Sequence, residues 1–190
     1  LTCDGSDPVT FTNGGSPGGG APTGPGAPCP LAPYALCMSV DLTKLWLAGY
    51  DLHGANFNNS DFHYAVLSDA DLRDAIFFQA ALIGTDLSGA DLTGAVLRSA
   101  RIEATLDGAI LDDVDAVGAT ISSTSFRDAS LVGADFTGAS ASASNNVWKG
   151  ADLTGASFAR ARLADGLYGS AKFEDAILVS EKAVKEDRYT

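Results

Sequence analysis

Large apolar residues occupy every fifth position of this chain from Leu42 to Ile102, and that spacing excludes most folds. A helix repeats every ~3.6 residues and a plain strand every ~2, so neither puts positions 42, 47, 52 and 57 on one face. A mixed unit does. In three extended residues the first and third side chains point one way and the middle one the other. The remaining two residues can turn a corner. Small residues stand two positions before the large ones, as at Ala55, Ala65, Ala70, Ala75, Ala80, Ala90, Ala95 and Ala100. Gly, Ser, Thr, Asp and Asn crowd the corner pair, as turns favour. Each pentad is therefore one short side and one corner of a coil. Its small and large apolar residues face inward, and the residue between them faces water.

At Leu106 the phase slips by one residue, and it continues through Leu111, Ala116, Ile121, Phe126, Leu131 and Phe136. A second break covers 139–150, "ASASASNNVWKG". Two extra residues there must bulge from a corner, and Asn145, Asn146 and Trp148 are expected in that loop. The last run is Leu153, Phe158, Leu163, Tyr168, Phe173 and Leu178.

"ADLTG", "ANFNN" and "ADFTG" resemble the pentapeptide-repeat family, whose consensus is A(D/N)LXX. The resemblance spans roughly residues 40 to 180. It implies an all-β, right-handed quadrilateral β-helix with four pentads per coil, giving about seven coils spaced ~4.8 Å apart. Three regions follow: a Gly/Pro-rich N-terminal arm over 1–38 holding all three cysteines, the solenoid over 39–180, and a tail over 181–190. Glu181 and Lys185 stand four residues apart, so a short capping helix is expected in the tail.

In the arm, Cys29 and Cys37 flank "CPLAPYALC", and a local disulfide there would leave Cys3 over; three free thiols are the alternative. A bridge would staple a segment with little core of its own and points to an oxidising, extracytoplasmic compartment. The 24 acidic against 12 basic residues, a net charge of −12, disfavour nucleic-acid binding, which needs clustered Lys and Arg. No run of 18 apolar residues exists, so no membrane span is expected.

The sequence offers no catalytic, cofactor or metal constellation. His53 and His63 lie ten residues apart, on opposite sides of a four-sided coil, which argues against a shared metal. "GGSPG" around Ser16 matches the nucleophile-elbow letters but lacks the strand and helix that the motif needs. Asn58–Ser60 is a glycosylation sequon by letter. Asp51, Asp71 and Asp91 form an outward column, read either as a phosphate-like ladder or as the residue that suits this consensus position. Ile76, Phe78 and Val96 fall on one outward face in adjacent coils, Ile83 lies round the corner, and Trp46 also points out. A contiguous apolar cluster marks an interface. Two functions compete. The first is a non-enzymatic, extracytoplasmic scaffold that associates with itself into oligomers, a filament or a sheath. The second follows from the resemblance, whose quinolone-resistance members imitate DNA and bind gyrase.

Overall fold

The computed structural model describes residues 29–141, 146–163 and 169–177. Asp51 pairs in parallel with Asp71, and Asp71 with Asp91, twenty residues on each time. One coil therefore holds four pentads and has four sides, named here after their outward residues Leu36, Asp41, Trp46 and Asp51. Pairing along the Leu36 side runs unbroken from Leu36 to Ile177. The ladder thus already includes Leu36 and Cys37, which the sequence reading gave to the arm.

On the Asp41 side the pairing lengthens into five strands of one parallel sheet, stacked in chain order. They are β1 (Ala81–Asp86), β2 (Arg101–Thr105), β3 (Thr120–Ile121), β4 (Ser140–Ala141) and β5 (Arg162–Leu163). Coils are joined by backbone hydrogen bonds in both directions. Leu72 N–H donates forward to the Asp91 carbonyl, and Asp71 N–H donates back to the Tyr50 carbonyl.

The corners are tight turns. Ala55 N–H donates to the Leu52 carbonyl at 3.0 Å, and Gly54, the second corner residue, has φ +63°. Positive φ at that position alone is the type II geometry. A Cβ at Gly54 would also lie 2.5 Å from the exposed Tyr34 ring, which would have to move aside.

Every large residue from Leu42 to Ile102 in the five-residue series is buried, as is the series from Leu106 to Phe136. Sizes compensate inside the tube: where the large position holds Ala116, the small position two residues earlier holds Val114, and both are fully buried. Such volume-conserving exchange keeps a core close-packed.

Both departures from period five are visible in the register. Asp91 pairs with Ile110, nineteen residues on, because a corner residue is missing between Ile102 and Leu106. The chain there runs on as a strand with alternating burial. Ser125 pairs with Val147, twenty-two residues on, which records the two-residue insertion.

The insertion is placed differently from the expectation. Asn146 and Trp148 are not in a loop: both are buried, as the small and large inward positions of a coil. Trp148 stacks on Phe126 of the preceding coil, with ring centroids 4.1 Å apart and planes at 8°. The same coil has Ala141 at its neighbouring large position, which leaves room for the indole. The extra residues thus fall between Ala141 and Asn146. Asn145, Tyr168, Leu178, Cys3, the Leu163 side chain and the expected helix around Glu181 and Lys185 lie outside the described residues.

Asn146 has work to do in its buried position. Its Oδ1 accepts from Thr124 N–H at 3.0 Å, while the Thr124 hydroxyl donates to the Ile102 and Ser122 carbonyls. Asn146→Ala would leave a buried N–H without an acceptor, a loss of about 1–3 kcal/mol. Urea titration of the variant should show a lower midpoint at unchanged slope; an unchanged midpoint would show that this bond contributes nothing.

Candidate interaction surface

Apart from half-buried Tyr50 and the inward residues of the last described coil, the middle residue of each side and the corner residues are the ones that reach solvent, so the surface chemistry is written there. Most middle positions that hold Asp use it in the same way. Asp41, Asp61, Asp91, Asp135 and Asp152 each accept, through Oδ1, the backbone N–H two residues on. That bond fixes the corner, and Asp and Asn are suited to it because their side chains are short. Asp51 and Asp71 do the same at longer range. Where the next coil has Ser125 or Ser130 instead, Asp107 and Asp112 reach across from the preceding coil to accept their hydroxyls.

The carboxylate columns also carry basic partners. Arg73 bonds Asp71 through both its Nε (2.8 Å) and Nη2 (2.5 Å) and lies 3.9 Å from Asp91. Arg98 pairs with Asp115, Arg127 with Asp107 and Lys172 with Asp152. The Arg73 hydrogen bonds hold Asp71 below the usual carboxylate range. Thr43 does so for Asp41. Asp152 is brought down to about 2 by the Thr154 hydroxyl first and Lys172 second.

The histidines stand at opposite corners, each with its Nδ1 against the Asp two residues before it. What the sequence reading missed is that Asp51, His53 and Asp71 offer three ligand atoms within 4.8 Å of one another. The signal was there, as an Asp and a corner His in one pentad with an Asp one coil on. Arg73, however, already engages both oxygens of Asp71.

The apolar residues stand out against this acidic, self-bracketed surface. Ile76 pairs with Val96 on the Leu36 side. Both are half-buried, as is Ile83 on the Asp41 side. Phe78, at the adjoining corner, is 38% exposed and sits over Asn58, whose Oδ1 accepts its N–H. Trp46, on the opposite side, is 55% exposed. The first coil adds residues that the sequence reading did not single out: Leu36 at 68% and Met38 at 50%. Cys29 and Cys37 form a disulfide at this end, with both residues buried.

A carboxylate held below its ordinary pKa stabilises the fold above the unfolded value, and that share is lost as pH falls through the folded one. For Asp152 the window runs from 3.8 down to about 2. Melting temperature should fall with acid across it, and Asp152→Asn should flatten that part of the profile. Parallel profiles for the two proteins would remove Asp152 from the account.

The family model described as pentapeptide repeats matches residues 35–74, 75–105 and 102–138, more than half of the chain. No curated protein matches. Among solved structures, full-length QnrB1, a plasmid-mediated fluoroquinolone resistance protein, is 19% identical with TM-score 0.45, covering 74% of this chain and 80% of that one. A pentapeptide repeat protein from the Arabidopsis thaliana thylakoid lumen is 28% identical with TM-score 0.37, covering 77% and 78%. Rfr23 from the cyanobacterium Cyanothece 51142 is 19% identical with TM-score 0.35, covering 74% and 89%. With a twenty-residue coil of four pentads and a family model over most of that ladder, this chain belongs to the pentapeptide repeat family.

Proposed function

We propose that this protein is a non-enzymatic structural scaffold that acts through protein contacts, associates with copies of itself into an oligomer, filament or sheath, and works outside the cytoplasm. The observation that carries the reading is that six of the nine exposed large apolar side chains among the described residues lie in the first three coils of an otherwise acidic tube, with Leu36, Met38 and Phe78 on one side and its corner and Trp46 on the opposite side. Exposed apolar residues are ordinary one at a time, but grouped they mark surfaces that other molecules cover. The interior supports the absence of chemistry, because its own Leu, Phe and Trp side chains fill it. The disulfide supports the location, since such bridges persist in oxidising compartments.

The net charge of −12 favours a second reading, a DNA-like partner for gyrase. Against it, Asp71, Asp107, Asp115 and Asp152 each share their charge with an Arg or Lys, and the column carboxylates are engaged in their own corners. A phosphate-like row needs free, uninterrupted charge.

Light scattering on the intact protein should give a mass above one chain that rises with concentration. A single-chain mass at every concentration would end the self-association reading, and inhibition of gyrase would put the second in its place. Alkylation of unreduced protein from its native source should spare Cys29 and Cys37; labelling of both would remove the extracytoplasmic location.

A further inference from the structure

The N-terminal end of the tube is built differently from its middle. Positions that hold Ala or a small polar residue (Ser60, Thr85) in the next coils hold Val40 and Leu45 in the first, both buried. Cys29 and Leu31 are buried beside them, and the disulfide ties Cys29 to the inward Cys37. Among the described residues, then, the apolar core is closed at this end and the backbone around it is not.

In later coils the middle residue of each side turns both its N–H and its carbonyl towards the coil before. Val66 N–H donates to the Leu45 carbonyl, and the Val66 carbonyl accepts from Leu47 N–H. Leu36, Asp41 and Trp46 hold the equivalent places in the first coil. Among the described residues, no coil precedes them and nothing accepts from their N–H groups. An open strand edge of this kind templates pairing.

Two features make a copy of the same chain the matching partner. The first coil, residues 29–48, carries one acid, Asp41, and one base, Lys44, so it has no net charge in a chain of −12. Copies that meet here avoid the repulsion they would meet elsewhere. The edge also complements itself. A residue that offers both N–H and C=O can exchange two hydrogen bonds with its own twofold mate, as in an antiparallel pair. A twofold axis through the Asp41 side would press two Asp41 carboxylates together. An axis through the Trp46 and Leu36 sides, which are opposite each other on the tube, keeps them apart. It sets Trp46 against Trp46 and Leu36 against Leu36, the two most exposed apolar middle residues of the first coil.

We propose that a second copy docks head to head on this N-terminal edge, about a twofold axis through the Trp46 and Leu36 sides. The proposal rests on the self-association reading and deepens it, because such a contact is closed: it gives a dimer as the basic unit.

The full chain with its disulfide intact is the material for the test. Intact protein should scatter as a dimer that dissociates on dilution. Trp46→Ser and Leu36→Ser should each weaken it at least tenfold without moving the melting temperature, and Phe78→Ser should leave the dimer as it was. Amide exchange at Leu36 and Trp46 should slow as concentration rises, and acrylamide should quench Trp46 less in the dimer. If Phe78→Ser dissociates the assembly and Trp46→Ser does not, the contact is lateral; the edge proposal then fails while self-association stands. If Leu36 and Trp46 amides are protected equally at all concentrations, the chain covers its own edge and the proposal fails. A protein monomeric throughout overturns both.

Discussion

A regular corner turns the chain through only two residues, because the second takes positive φ, most often as Gly, Asp, Ser or Asn but also as Lys44 or Arg160. The length of everything else follows. With two residues spent on turning, three remain for each side, two facing in and one out. The backbone groups of those three then pair with the coils before and after, as Asp71 N–H and Leu72 N–H do. The Asp at the outward position belongs to the same device, since it holds the corner amide that follows it. Corner, ladder and acidic surface are one arrangement, and the negative charge of the molecule is largely a consequence of how it turns.

The irregularities confirm how local that arrangement is. The missing residue after Ile102 and the extra residues after Ala141 both fall between the Asp41 and Trp46 sides, at one corner in different coils. Three of the four inward polar residues among those described gather beside it, while Ser60 stands one corner earlier. Thr85 donates to the Phe62 carbonyl, Thr124 to those of Ile102 and Ser122, and Asn146 accepts from Thr124 N–H. Elsewhere the same inward position is nearly always Ala. A corner that changes length misaligns backbone groups, and a buried side chain that can hydrogen-bond offsets the misalignment. Order resumes within one pentad, so a change in length shifts the register of the following coils without disrupting their stacking.

This locality explains what was legible in the sequence. The inward series from Leu42 to Ile102 needs only counting, because one period governs thirteen consecutive large residues. The slip at Leu106 is equally plain, as one residue is missing and the period resumes at once. The insertion was not, because "ASASASNNVWKG" can house two extra residues at several points. Asn, Lys and Gly around Trp148 look like turn residues, and only packing against Phe126, Phe136 and Phe158 assigns the indole inward. The surface was the least legible part. Phe78, Val96 and Ile76 stood out as apolar residues at outward positions, yet Leu36 and Met38 were hidden in a segment that looked like linker. The pairing of Leu36 with Asn56 makes them a coil.

The two functional readings respond oppositely to salt, and this follows from charge alone. Two copies at −12 repel at long range, while the first coil, where they are proposed to meet, is neutral. Salt shortens the reach of that repulsion, to about 10 Å at 0.1 M and about 3 Å at 1 M. It also strengthens apolar burial when the anion is sulfate. Self-association through Trp46 and Leu36 should therefore tighten severalfold as ionic strength rises. Binding of a basic partner to the Asp51, Asp71 and Asp91 column should weaken instead, because attraction between unlike charges is screened. Dilution light scattering at low and high sulfate measures the first. If dimers dissociate as sulfate is added, the contact is held by charge, and an apolar interface at the N-terminal edge is wrong.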